Sequence, residues 1–441
     1  MLELFSSGLM GAWLDMAGIK PNQLNVADLL EWQGVSLLAL PTEPDPADEK
    51  TMDQYLRQLS TKGMAAGNQA VWMQSGQSLL ANHQGKVPVP AASLTKIATT
   101  LAALETWGPA HAFETLIGTT GTIKNGVLQG DLVVTGSGDP FFVWEEAIAL
   151  SAALNRLGIR RVNGNLIIVG DFSMNYQPNP TLSGQLLKQG LDNKYWPRFT
   201  AVQYAAMYPK TPKPQVVIAG GIRVSSVPLP KQILLVRHKS MSLTQIIKQM
   251  NIYSNNEMAE MLAKSVGGAS MVSQIAAKSA GVPNEEIQLV NGSGLGVENR
   301  ISPRAACGML LAIQNHLHSQ QMSVADMFPV SGRDRRGTML ARKIPTGTVI
   351  KTGTLNAVSA LAGVMPTRDR GLVWFAIING GNDVEAFRQQ QDVLLQNLLK
   401  RWGVAETPPP AITPSSAIAD GAKVLGDTHR NKIVSGFQAK F

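Results

Sequence analysis

Between about His111 and Lys231 the sequence changes texture, and that change constrains the fold more than any other feature. Short Val/Ile-rich runs are punctuated by Asn125-Gly126, by Gly136-Ser137-Gly138-Asp139-Pro140, by Asn163-Gly164 and by Gly220-Gly221. These are strand and turn signals, interrupted by one helical stretch near Val143 to Leu157. On both sides of the block the spacing of apolar residues is helical, so the block reads as a β-rich unit inserted into another. The organisation expected is a segment 1–45, a discontinuous unit from 46–110 plus 232–402, the insertion 111–231 and a flexible tail 403–441. The tail reads as extended because it carries Thr407-Pro408-Pro409-Pro410 and Pro414.

A chain of 441 residues has enough material for two cores without disulfides or a structural metal. Its single Cys307 excludes an internal disulfide and a Cys-rich zinc site, and reads as a small buried helix residue. The net charge of +8 is spread without like-charge runs, which suits weak attraction to polyanions and argues against a nucleic-acid module. No stretch has the length of an uninterrupted apolar membrane span. The opening "MLELFSSGLMGAWLDMAGIK" is either a secretory signal or an amphipathic helix; it lacks a basic start and carries Glu3 and Asp15.

In the flanking unit, "DEKTMDQYLRQLSTKG" has helix composition, and "NQAVWMQSGQSLLANHQGKVPVP" reads as two strands about a Ser-Gly turn. Leu94, Ile97, Ala98 and Leu101 fall at i, i+3, i+4 and i+7, one buried helical face. With 100° per residue, Ser93 and Lys96 then share the opposite face one turn apart. "SLTQIIKQM" predicts a helix that ends just before "IYSNNEMAE", with another helix from Asn256. "TVIKTGTLNAVSALAGVMPTRDRGLVWFAIING" contains three strand-like runs, and a helix is predicted over Val384 to Trp402.

Three short motifs could carry chemistry. A serine hydroxyl is a weak nucleophile at neutral pH, and Lys96 could activate Ser93 if burial or a second cation lowered its pKa. Alone, Ser-x-x-Lys is a common pattern, and a helix-capping Ser followed by a solvated Lys explains it as well. Lys351-Thr352-Gly353-Thr354 lies in a strand-like run, where Gly353 leaves room for another backbone and the Lys and Thr side chains can bind a carboxylate. Between them, "IYSNNEMAE" can be parsed as Tyr253-x-Asn255 or Ser254-x-Asn256. The ordered set Ser-x-x-Lys, Ser-x-Asn, Lys-Thr-Gly is that of penicillin-binding proteins and class A β-lactamases.

With "LQGDLVVTGSGDPFF", "YSNNEMAEMLAK", "NGSGLGVENRISP" and "IKTGTLNAVSALAGVM", the sequence from about 50 to 402 resembles the D-alanyl-D-alanine carboxypeptidases and endopeptidases grouped as low-molecular-mass class C penicillin-binding proteins. The resemblance implies an α/β (α+β) transpeptidase-like domain, with an antiparallel sheet flanked by helices and built from strands near 69–83 and 349–379. It favours the Ser254/Asn256 register and makes Tyr253 a packing or cleft-wall residue. It implies that Ser93 attacks the carbonyl of a penultimate D-Ala while Lys96 takes its proton. Ser254 would relay a proton to the departing D-Ala, and Asn256 would hold the peptide amide and Lys96. Lys351, Thr352 and Thr354 would bind the terminal carboxylate, with Gly353 between them, and the N–H groups of Ser93 and Thr354 would form an oxyanion hole. No cofactor or metal is implied. The expected partners are peptidoglycan peptides, with β-lactam antibiotics as inhibitors, and the expected location is the periplasm or cell envelope. Two departures stand out: an insertion of about 120 residues, shorter than in well-known members, and Asn255 where Asp is frequent.

Other candidates have plain readings. His316 and His318 would lie about 200° apart on a helix and cannot grip one ion. "NGSGLG" and "GSGDP" match no nucleotide loop. Arg333, Arg335, Arg336, Arg342 and Lys343 read as a solvated loop. Glu286-Ile-Gln-Leu-Val-Asn291 is one residue too long for the Glu-bearing turn of a class A β-lactamase, the alternative enzyme. An inactive peptidoglycan-binding scaffold is the alternative outside enzymes, and intact Ser93, Lys96 and Lys351 oppose it.

Overall fold

The computed structural model describes residue 38 and residues 44–207, 213–415 and 425–434; the possible signal at 1–20 lies outside the described residues. Helix α1 (Pro46–Ser60) starts where Asp45 accepts from the Ala47 N–H, and it buries Met52, Tyr55 and Leu59 at helical spacing. Strands β1 (Gln69–Ser75) and β2 (Ser78–His83) follow, and then α2 (Thr95–Trp107), entered through a single 3-10 turn at Ala92–Leu94.

The insertion carries β3 (Glu114–Thr119), β4 (Leu132–Ser137), α3 (Trp144–Arg156), β5 (Leu166–Asp171), α4 (Pro180–Leu191), α5 (Arg198–Met207) and β6 (Ile222–Ser225), and β7 (Ile233–Lys239), past the expected boundary at 231, joins the same sheet by pairing with β3. The chain then returns through α6 (Leu243–Tyr253), α7 (Asn256–Val266), α8 (Ala269–Ala280) and α9 (Pro303–His318). It closes the unit with β8 (Val349–Leu355), β9 (Val358–Thr367), β10 (Gly371–Gly380) and α10 (Val384–Trp402), and adds β11 (Asn431–Ile433) near its end.

The first sheet is antiparallel throughout, in the order β8-β9-β10-β1-β2, and so joins strands from both sides of the insertion. Strand alternation gives it two apolar faces. From β10, Val373, Phe375 and Ile377 meet α1 and α10, while Trp374, Ala376 and Ile378 meet α2 and α9. All ten residues of β9 are buried, as a central strand covered on both faces requires.

The insertion has its own apolar cluster, including Ile117, Val134, Leu150, Ile168 and Val236. Its main sheet runs β6-β5-β4-β3-β7-β11, with parallel pairs β6/β5 and β5/β4. Asn125 and Gly126 turn a short hairpin with φ of 49° and 79°, the left-handed pair that such turns need. The sequence pointed to one helix here, and the described residues hold three. Helix α4 escaped notice because it contains Gly184 and Gly190, yet both serve packing: an added Cβ would lie 2.7 Å from Ile222 Cγ2 and 2.8 Å from Ala147 Cβ.

The expected flexible tail is ordered in part. β11 pairs with β7, Ile412 is buried, and Arg430 forms an ion pair with Glu146. A three-residue strand gains its stability from the sheet edge it joins, which has no local signal.

Candidate active site

Ser93 lies in the 3-10 turn at the start of α2, a partly exposed residue among buried neighbours from Ala91 to Leu104. Its side chain caps no helix end. Lys96, one turn on, is completely buried, contrary to the reading as a solvated lysine. Its Nζ donates to Ser93 Oγ at 3.0 Å, to Asn256 Oδ1 at 2.8 Å and to the Ser293 carbonyl at 2.7 Å. Burial lowers its pKa to about 7 from an ordinary 10.5, and the carboxylates of Glu260 and Glu257 work against the shift.

A second buried amine stands opposite. Lys351 of β8 donates to Ser254 Oγ at 2.9 Å and to the Thr352 carbonyl at 2.8 Å. Burial first, and then the charge of Lys96, hold its pKa well below the usual lysine range. Ser254 ends α6 in the left-handed region with φ 53° and ψ 41°, a conformation that costs a non-glycine residue of the order of 1 kcal/mol. The turn sets the register of "IYSNNEMAE". Asn255 Oδ1 accepts from the Met258 N–H at 2.8 Å and caps α7, while Asn256 reaches Lys96. Tyr253 is 53% exposed.

Strand β8 passes close to the Ser93 turn because Gly353 has no side chain: a Cβ there would lie 3.0 Å from the Ala91 carbonyl and 3.1 Å from the Ser93 nitrogen. Thr352 Oγ1 donates to Thr338 Oγ1 at 2.9 Å. Thr354 Oγ1 accepts from Arg388 of α10 at 2.8 Å. The structure therefore brings Ser93, Lys96, Ser254, Asn256 and Lys351 to one place, with Thr352, Gly353 and Thr354 along its strand edge.

The D-Ala-D-Ala carboxypeptidase 3 (S13) family matches residues 49–195 and 200–400, most of the chain. The chain belongs to that family. It is a serine-type D-Ala-D-Ala carboxypeptidase, a hydrolase. The D-alanyl-D-alanine carboxypeptidase DacB of Haemophilus influenzae is 24% identical over 400 residues, covering 68% of this chain and 83% of that protein. The crystal structure of penicillin binding protein 4 (dacB) from the same organism superposes with a TM-score of 0.60 at 19% identity, over 79% of this chain and 99% of that one. A penicillin G-acylated predatory endopeptidase from Bdellovibrio bacteriovorus gives a TM-score of 0.66 at 21% identity, over 77% and 96%. Both likenesses bear on the fold.

The S13 chain also holds contacts that motif reading missed. The loop Asn291–Gly296 supplies the Ser293 carbonyl to Lys96, and Glu260, Thr99 and Arg388 touch site residues or this loop. "NGSGLG" was visible as a family signature, but nothing local says that one of its carbonyls meets a lysine almost two hundred positions away. Gly294 has φ 84°, and a Cβ there would fall 1.9 Å from the Ala92 carbonyl. Gly294→Ala must therefore displace the backbone that presents Ser93. The variant is expected to melt several degrees below wild type and to react with a penicillin at least about tenfold more slowly. Calorimetry and labelling rates check this, and a wild-type rate would show that the loop yields without disturbing Ser93.

Some expectations change. Arg342 is no solvated loop residue: its side chain, 4% exposed, pairs with Asp392 at 2.6 Å, since α10 brings a carboxylate over the loop. Glu286 is engaged by Ser302 Oγ at 2.5 Å and by Arg304, a structural anchor at the start of α9. His316 faces Glu105 at 3.7 Å, and among the described residues no group of three or more His, Cys, Asp or Glu could hold a metal ion. Cys307 is buried, and burial raises its thiol pKa.

Proposed function

We propose that this S13 enzyme cleaves D-Ala-D-Ala ends of peptidoglycan stem peptides through an acyl-enzyme on Ser93. The contact of Lys96 Nζ with Ser93 Oγ at 3.0 Å, made by an amine burial brings to a pKa of about 7, carries this reading. Neutral Lys96 accepts the hydroxyl proton as Oγ bonds to the carbonyl carbon of the penultimate D-Ala. Negative charge passes to the carbonyl oxygen, which the N–H groups of Ser93 and Thr354 receive. As the C–N bond breaks, Ser254, held by Lys351, hands a proton to the departing amine. Lys96 passes its proton on to Ser254 and is neutral again; water then attacks the ester with its proton going to Lys96, which returns it to Ser93 Oγ as the ester C–O bond breaks. Lys351, Thr352 and Thr354 recognise the terminal carboxylate, and Asn256 orients Lys96 and the substrate amide.

A penicillin presents a strained amide and a carboxylate to the same groups and acylates Ser93. Residues 46–110 and 240–402 act as the catalytic domain, the insertion, extended from 111–231 through β7 to Lys239, as one accessory domain, and the cell envelope is the working location. Among the described residues no helix is long and apolar enough to cross a membrane.

The test follows a fluorescent penicillin on the purified protein over time and measures D-Ala released from a D-Ala-D-Ala peptide. A long-lived adduct with D-Ala release is expected. Rapid loss of label without D-Ala release means a β-lactamase, and no label on folded protein means a scaffold. Within this reading Ser254→Ala is expected to slow acylation by about a hundredfold or more, and Tyr253→Phe by less than about threefold. The reverse order in labelling rates restores the other register.

A further inference from the structure

The loop 291–296 is held from two sides. Glu260 lies four residues after Asn256 on α7, one helical turn along, so both side chains project toward the same region. Glu260 Oε1 accepts from the Ser293 N–H at 2.9 Å, and Oε2 accepts from the Gly292 N–H at 3.0 Å. A carboxylate gripping successive backbone N–H groups makes charge-assisted bonds, stronger than neutral ones. On the far side the loop offers carbonyls to α2. Gly292 O accepts from Thr99 Oγ1 at 2.7 Å, and Ser293 O accepts from Lys96 Nζ at 2.7 Å.

The peptide unit between Gly292 and Ser293 is thus fixed at both ends, its N–H by Glu260 and its C=O by Thr99. There is no slack in the wedge. A Cβ on Gly292 would lie 2.4 Å from Ala263 Cβ, and one on Gly294 would lie 1.9 Å from the Ala92 carbonyl.

We propose that Glu260 is a positioning residue of the reaction: its carboxylate clamps loop 291–296 so that the Ser293 carbonyl stays on the Lys96 amine that serves Ser93. The inference rests on Lys96 as the base for Ser93. Glu260 touches neither Ser93 nor Lys96 through a hydrogen bond and acts through the loop and through its charge. The charged groups facing Lys96 are Glu257 and Glu260 from α7 and Lys351 from β8, and Glu260 is the strongest of the carboxylates opposing the effect of burial.

The experiment measures acylation by a fluorescent penicillin between pH 5 and 9 for wild type, Glu260→Gln and Glu260→Asp, with Ser93→Ala as control. The wild-type rate is expected to rise through a pH of about 7, as Lys96 loses its proton. In Glu260→Gln the negative charge is gone and an amide NH2 faces one of the loop N–H groups. The rising limb should move about one pH unit lower, and the plateau should fall about tenfold or more. A residue that only supported the fold would lower the plateau and leave the limb in place. An unmoved limb in folded Glu260→Gln overturns the proposal.

Glu260→Asp keeps the charge on a shorter arm, so its limb should stay at the wild-type pH while its plateau falls. If the Gln variant does not fold, the Asp variant decides: a wild-type plateau there overturns the clamp. Label on Ser93→Ala instead removes the underlying reading, whatever Glu260 does.

Discussion

Ser93→Ala is expected to take up no covalent penicillin and to release D-Ala at no more than about a thousandth of the wild-type rate. On the proposed mechanism the change deletes the hydroxyl that forms the acyl-enzyme, while Lys351, Thr352 and Thr354 remain to bind a carboxylate. Reversible binding of a D-Ala-D-Ala peptide should therefore stay within a few-fold of wild type. The fold should tolerate the change. Lys96 loses one of its three acceptors and keeps Asn256 Oδ1 and the Ser293 carbonyl. Mass spectrometry of the penicillin-treated variant and a D-Ala assay decide the matter. A stoichiometric adduct would move the nucleophile elsewhere.

Lys96→Met is expected to slow acylation by about two to four orders of magnitude, the range for a positioned general base, without unfolding the protein. Methionine fills a similar volume and removes the amine proposed to take the Ser93 proton. Its effect on stability depends on pH, and the sign follows from proton counts. Burial lowers Lys96 to about 7 from 10.5, so between those values the unfolded chain holds a proton that the folded chain has released. The wild-type group therefore weighs against folding most fully below pH 7, and the penalty fades as pH rises toward 10.5.

The Met variant lacks that penalty but leaves Asn256 Oδ1 and the Ser293 carbonyl without their donor, at about 1–3 kcal/mol each. Its melting temperature should match or exceed wild type near pH 6 to 7 and fall relative to wild type by pH 9. Thermal melts across that range test the sign. A loss of stability that is the same at every pH would show that Lys96 is not lowered by burial.

Much of this protein was readable in one dimension because the relevant forces are short in sequence. The helices predicted around 93–108, 243–250 and 384–402 depend on residue spacing over a few turns, and they stand as α2, α6 and α10. The strands near 69–83 and 349–379 followed from composition and turn residues. Helix α4 hid its helical character behind glycines whose purpose lies in packing against Ile222 and Ala147. Arg342 looked solvated because Asp392, its partner, is fifty positions away.

Sequence alone determined the three motifs, their order, the break in texture that marks the insertion, and the helical offset that puts Ser93 and Lys96 on one side. Those depend on residue identity and on rotations per residue, which are local. Only the tertiary structure decided that Lys96 and Lys351 lie in an interior dry enough to shift both amines. It alone brought the Ser293 carbonyl onto Lys96, and set Glu260 and Gly294 to hold it there. Desolvation and carbonyl placement are sums over neighbours from distant segments. No window of sequence contains those neighbours together, so the strength of the base became visible only once the sheet, α2 and α7 had closed around it.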